Sequence, residues 1–220
     1  MSRTAWFFGD SFTKGDGCLH GNEYTIAYPP QEGDKIWPAH VADYYDMSLN
    51  NYGYGGIGNA EIIDKFVDCF DYFHPGDLVI IGSSDSTRFP VINPYTGTVG
   101  SFHAYTLDHG GVKKGIKDSY SRRAQQAMVD YGVEVRLPYA DEWQRYYERH
   151  MNFLVTACRL KKVNAFMWSK TLWGNYETIV EYTKGKISDR HWTWDSHRKF
   201  ADYMIKTIGV LPENITQNLL

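Results

Sequence analysis

Short, mostly apolar runs that end in glycine and small polar residues, alternating with helix-length amphipathic stretches, constrain this chain more than any other feature. Residues 4–8, 77–81 and 163–168 are such runs, and residues 47–52 form a weaker one. A continuous apolar run bounded by turn residues suits a strand covered on both faces. The intervening stretches carry a helical period. Residues 36–45 have helical spacing, with Pro38 tolerable in the first turn. Ile62, Ile63, Phe66, Val67 and Phe70 line one face of a helix that Asn59 can cap and that His74-Pro75-Gly76 stops. A long helix is expected from about Asp141, capped by it, with Gln144 in the capping-box position. Trp143, Tyr147, Met151, Leu154 and Cys158 form its buried stripe. A last helix is expected over 195–208, with Asp195 as its cap and Gly209 closing it.

Strands alternating with helices imply a parallel sheet covered on both sides. The expected architecture is α/β, a three-layer α/β/α sandwich around a mostly parallel sheet of about five strands. All 220 residues fit a single domain of generous size. Residues 89–118 have no sustained period and read as a loop-rich insertion with room for a hairpin.

Composition excludes several functions. The net charge is −3, with no basic stripe of the kind that grips nucleic acid. The densest basic stretch, Lys113-Lys114, Lys117 and Arg122-Arg123, reads as a solvated loop or helix face. No window approaches the roughly 18 apolar residues of a membrane span. The first residues run straight into a strand, with no separate apolar signal region, so a cytoplasmic location or release without a cleaved signal is expected. Three cysteines, Cys18, Cys69 and Cys158, lack the spacing of a disulfide framework or zinc site. His103, Asp108 and His109 match no regular metal site either, and neither metal nor organic cofactor is expected. The aromatic share is high at 16%, which fits either an aromatic core or exposed rings that meet sugars or a protein partner.

The polar motifs follow the first three strands, where ligands of such sheets bind. They are Gly9-Asp10-Ser11, then Asn51-Tyr52-Gly53-Tyr54-Gly55-Gly56, then Gly82-Ser83-Ser84-Asp85. Asp189-Arg190-His191-Trp192 precedes the last helix. In this order the four resemble the sequence blocks of the SGNH (GDSL-type) hydrolases, whose fold is flavodoxin-like. The general look of the chain is also similar to SGNH-like proteins of tailed bacteriophages.

The resemblance implies a serine esterase. Ser11 is then the nucleophile, His191 the base that takes its proton, and Asp189 the carboxylate that orients His191. Oxyanion donors are the backbone N–H groups of Ser11 and Gly56, with Ser84 standing where the family has an asparagine. A serine hydroxyl is shorter than an amide, so this departure weakens the expected oxyanion hole or requires a closer backbone. The family's usual Asp-x-x-His is shortened here, and two pairs compete, Asp189–His191 and Asp195–His197. The first sits on the loop where the family's pair lies. Asp195 has a ready role as helix cap, and His197 would pack in the first helical turn. Asp10 is expected to hold the nucleophile's turn or contact substrate. Arg88 could meet an anionic substrate group or form a surface salt bridge. Trp192 and Trp194 could floor a sugar subsite or pack the last helix. The expected substrate is a small ester or an O-acylated carbohydrate. The rival is a non-catalytic glycan-binding or structural virion protein on the same scaffold, with virion components or a second copy as partners.

Overall fold

The computed structural model describes residues 3–19, 30–92, 99–103, 122–169 and 191–212. In chain order the elements are β1 (Thr4–Gly9), α1 (Ser11–Lys14), α2 (Trp37–Tyr44), β2 (Ser48–Gly53) and α3 (Asn59–Cys69). Next come β3 (Leu78–Gly82), β4 (Arg88–Ile92), β5 (Val99–His103) and α4 (Arg122–Asp130). A π-helical turn over Tyr131–Arg136 leads to α5 (Ala140–Leu160), β6 (Asn164–Trp168) and α6 (Trp194–Ile208).

Four parallel strands form the sheet in the order β2-β1-β3-β6. The sheet is thus four strands wide among the described residues, against the five expected. Period-two alternation sorts the side chains of β1, β3 and β6 onto opposite faces. Ala5, Phe7, Leu78, Ile80 and Trp168 pack with Trp37 and Val41 of α2 and Phe200 and Met204 of α6. Trp6, Phe8, Val79, Ile81, Ala165 and Met167 pack on the other face with Ile62 and Phe66 of α3 and Met151, Val155 and Cys158 of α5. Helices therefore cover both faces, giving the three layers. Burial on both sides explains why β1 and β3 read as unbroken apolar runs, whereas the edge strand β2 read weakly. Asp77 is buried and ties the inner strands together: its carboxylate accepts from the N–H of Thr4 (2.8 Å) and from Trp6 Nε1 (3.0 Å).

β4 and β5 pair antiparallel in a separate two-stranded sheet. α4 was not read from the sequence, because its apolar face of Ala124, Ala127 and Met128 is short and made mostly of alanine. Three expected caps differ. Gly58, not Asn59, caps α3, and its N–H donates to Glu61 Oε2 (3.2 Å). Tyr139 stands at the start of α5, so Asp141 lies within its first turn, and Gln144 reaches Ser83 Oγ (3.1 Å) and Glu148 instead of capping. Thr193 caps α6 by accepting from the N–H of Ser196 (3.2 Å). None of the described helices is long and apolar enough to cross a membrane.

Candidate active site

After β1 the chain runs outward to edge strand β2 and then returns to β3 on the other side of β1. The crevice between the carboxyl ends of β1 and β3 is therefore the switch point at which such sheets bind ligands. Ser11 follows β1 and Ser84 follows β3, so both stand at this crevice.

The Ser11 turn is built locally. Asp10 caps α1: Oδ1 accepts from the N–H of Phe12 (3.1 Å), and its carbonyl accepts from the N–H groups of Thr13 and Lys14. The second motif presses against this turn. Asn51 Nδ2 donates to the carbonyl of Thr13 (2.9 Å), Asn51 Oδ1 accepts from the N–H of Gly53, and the N–H of Tyr54 donates to the carbonyl of Gly9 (3.0 Å). Gly53 is required by this approach, since a Cβ there would lie 2.7 Å from the carbonyl carbon of Thr13. The chain then reaches Gly56, whose φ of +81° belongs to the left-handed region that glycine tolerates.

The third motif is held as tightly. Asn59 clamps the Ser84 backbone, accepting from its N–H (2.7 Å) and donating to its carbonyl (3.0 Å). Ser84 Oγ lies 3.0 Å from Asp10 Oδ2 and 3.1 Å from the Ile57 carbonyl, and it accepts from Arg88 Nη1 (3.0 Å). One hydroxyl proton serves one acceptor at a time, so Ser84 can donate to an oxyanion only by turning away from both. Arg88 Nη1 also donates to the Ile57 carbonyl (3.0 Å) and stands 3.6 Å from Asp10 Oδ2, with side-chain exposures of 19% for Arg88 and 8% for Asp10. Arg88 is thus engaged in a largely buried ion pair and not in a surface one. Asp10 joins the end of β1 to the end of β3, and its carboxylate is engaged on both oxygens.

His191 and Trp192 pack against Phe12, the neighbour of Ser11, with ring centroids 5.5 and 4.9 Å apart. Cys18 Sγ donates to the Trp192 carbonyl (3.1 Å), fixing this segment to the loop after α1. Burial, with Asp34 adding, pushes the Cys18 thiol up to about 12, so it is not a reactive thiolate. Asp189 lies outside the described residues, as do Asp108 and His109. Of the two roles left open for Trp192, the structure shows packing: at 1% exposure its ring is enclosed by Phe12, Trp168 and Phe200, so it cannot floor a sugar subsite.

The competing pair is not a dyad. Asp195 faces solvent and pairs with Arg198 and Lys199. His197 is wholly enclosed, and its Nδ1 accepts from the N–H of Trp37 (3.4 Å). Burial, reinforced by His40 and His191, lowers its pKa to about 3, so it is a neutral core residue. Asn51 and Asn59 are positioning residues that sequence reasoning missed. Asn59 was hidden because an asparagine opening a helix normally reads as its cap.

No protein-family model matches the chain, and comparison with curated proteins finds no match. Among solved structures, the chain is similar to a member of the lipolytic protein G-D-S-L family from Veillonella parvula, with 11% identity and a TM-score of 0.40 over 93% of this chain and 97% of that one. It is also similar to an acetyl xylan esterase from Butyrivibrio proteoclasticus, with 14% identity and a TM-score of 0.43 over 94% of this chain and 65% of that one. An acetylxylan esterase from Geobacillus stearothermophilus gives 12% identity and a TM-score of 0.41 over 95% of both chains.

Proposed function

We propose that this chain is a serine esterase that removes O-acyl groups from carbohydrate through an acyl-enzyme. The observation that carries the reading is the packing of His191 on Phe12, which brings an imidazole beside the turn that carries Ser11. In this reading His191 takes the proton of Ser11 Oγ, and Ser11 attacks the ester carbonyl. The N–H groups of Ser11 and Gly56 meet the oxyanion, with Ser84 Oγ as a third donor once it turns from Asp10. Asp189 orients His191 and stabilises the imidazolium. His191 then protonates the leaving alcohol, and water, deprotonated by the same base, releases the acid.

The carbohydrate part of the proposal rests on Tyr54. This ring is 63% exposed, its backbone is tied to Gly9, and it directly precedes Gly55-Gly56. An exposed, backbone-anchored ring beside an oxyanion donor suits the apolar face of a sugar. Acetylated xylo-oligosaccharide and a short aryl acetate are the esters to try, with a fluorophosphonate probe to label an activated serine. Turnover and labelling that both disappear in Ser11→Ala support the reading. Neither turnover nor labelling in the wild type sinks it.

A second reading, a glycan-binding or structural protein on this scaffold, including a virion part, is favoured by the engagement of the Ser84 hydroxyl with Asp10. Glycan binding without probe labelling, or recovery of the chain in purified virions without esterase activity, would select it.

A further inference from the structure

Arg136 ends the π-helical turn and is 1% exposed. Its Nη2 donates to the carbonyls of Ser86 (2.7 Å) and Arg88 (2.8 Å), while Nε is buried without a hydrogen-bond partner. The guanidinium lies 4.2 Å from the ring centroid of Trp143, with Tyr147 and Phe89 at 5.7 and 5.9 Å. No carboxylate of the described residues pairs with it. Carbonyl dipoles and ring faces compensate a buried cation in part, but a full charge out of water calls for an anion.

An open groove of about 440 Å³ lies beside this cation, lined by Phe89, Met128, Tyr131, Trp143 and Tyr147 as well as Arg136. That volume suits a small organic ligand. The lining is aromatic and aliphatic, and among the described residues Arg136 is the one cation in it. Neither Ser11 nor His191 lines it. A π-helical turn is itself an uncommon feature that recurs at functional sites.

We propose that this groove is a second ligand site, separate from the Ser11 crevice, for a monocarboxylate with an apolar body. The carboxylate meets the Arg136 guanidinium, and the body lies against Trp143, Tyr131 and Met128. One buried cation in an apolar wall selects one negative charge attached to an apolar group. The lining offers a sugar no carboxylate or amide to hold its hydroxyls, and a polyanion would bring more charge than one guanidinium neutralises. The site does not depend on the esterase reading.

The test is calorimetric titration of the full-length chain with 3-phenylpropionate, and with 3-phenyl-1-propanol as a neutral ligand of similar size. The acid should bind saturably with a Kd of roughly millimolar or below, as expected for a ligand of this size. The alcohol should bind at least about tenfold more weakly, because it lacks the charge-assisted contact. Ser11→Ala should bind the acid as the wild type does. Ala127 stands at the exposed rim of the groove, so Ala127→Trp should block binding while leaving the melting temperature nearly unchanged. Arg136→Met should lose the preference for acid over alcohol; if that variant does not fold, the comparison of ligands and Ala127→Trp still decide. Equal binding of acid and alcohol, absence of saturable binding by either, or undiminished binding in Ala127→Trp would each overturn the proposal. Loss of binding in Ser11→Ala would place the ligand in the esterase crevice and overturn it as well.

Discussion

His197 makes a stability prediction that can be worked from its surroundings. The ring is enclosed among Trp192, Trp37 and the start of α6, and Nδ1 accepts a hydrogen bond from the N–H of Trp37. Protonating Nδ1 would break that bond and place a cation beside two aromatic rings with no carboxylate partner in the described structure. The folded pKa, lowered to about 3, lies below the ordinary unfolded value of about 6.5. His197 therefore favours the folded state fully above about pH 6.5, and this contribution is lost as pH falls toward about 3. At pH 4 the unfolded chain binds the proton and the folded chain does not, which removes about 3 kcal/mol relative to pH 7. His197→Asn keeps an acceptor near the Nδ1 position and does not titrate. Urea unfolding followed by circular dichroism, at several pH values from about 7 to 4, measures both chains under the same conditions. The variant should be the less stable at neutral pH, because the ring leaves a void. The gap should close by about 3 kcal/mol on acidification, since every other titrating group is shared. Stability profiles that stay parallel throughout would refute a buried neutral imidazole. Esterase activity should survive this substitution and disappear in His191→Gln, and the reverse outcome would make His197 the base.

Three further substitutions test the crevice. Ser84→Ala should lower kcat about a hundredfold with little change in KM if the hydroxyl turns to the oxyanion, because that charge exists only in the transition state; a silent substitution assigns the hole to backbone donors alone. Asn59→Ala removes both bonds to the Ser84 backbone and leaves a buried N–H and carbonyl unpaired, so it should cost about 3 kcal/mol in chemical unfolding. Gly53→Ala forces a Cβ into the backbone of the Ser11 turn and should cost about 1–3 kcal/mol with a fall in kcat, read by thermal unfolding and aryl-acetate kinetics; an unchanged rate would show that the turn does not depend on this approach.

The strands that carry the motifs were legible because burial on both faces leaves a composition signal. Phe7, Phe8, Ile80 and Ile81 each face a helical layer, so no polar residue interrupts the run. Helix faces read nearly as well, through periodicity. Val67 was assigned to the apolar face of α3 and is exposed, whereas Cys69 is buried. Caps read poorly, since Asn59, Asp141 and Asp195 all have the residue type of a cap, and competing partners decide whether they serve as one. Asn59 is drawn to the Ser84 backbone across 25 positions of sequence, and Asp195 to the cations one turn on.

By itself, then, the sequence determined the α/β layering and the order of Ser11, Gly56 and Ser84 after their strands and of His191 before the last helix, because periodicity and turn chemistry are local. Only the tertiary structure decided between partners that are distant in the chain. It packed His191 on Phe12 and enclosed His197 and Trp192 in the core. It turned the Ser84 hydroxyl toward Asp10 and Arg88, and it buried Arg136 beside an aromatic groove. These choices depend on which side chains meet across the carboxyl ends of the sheet, where desolvation and hydrogen-bond competition act between residues whose spacing in sequence carries no record of the encounter.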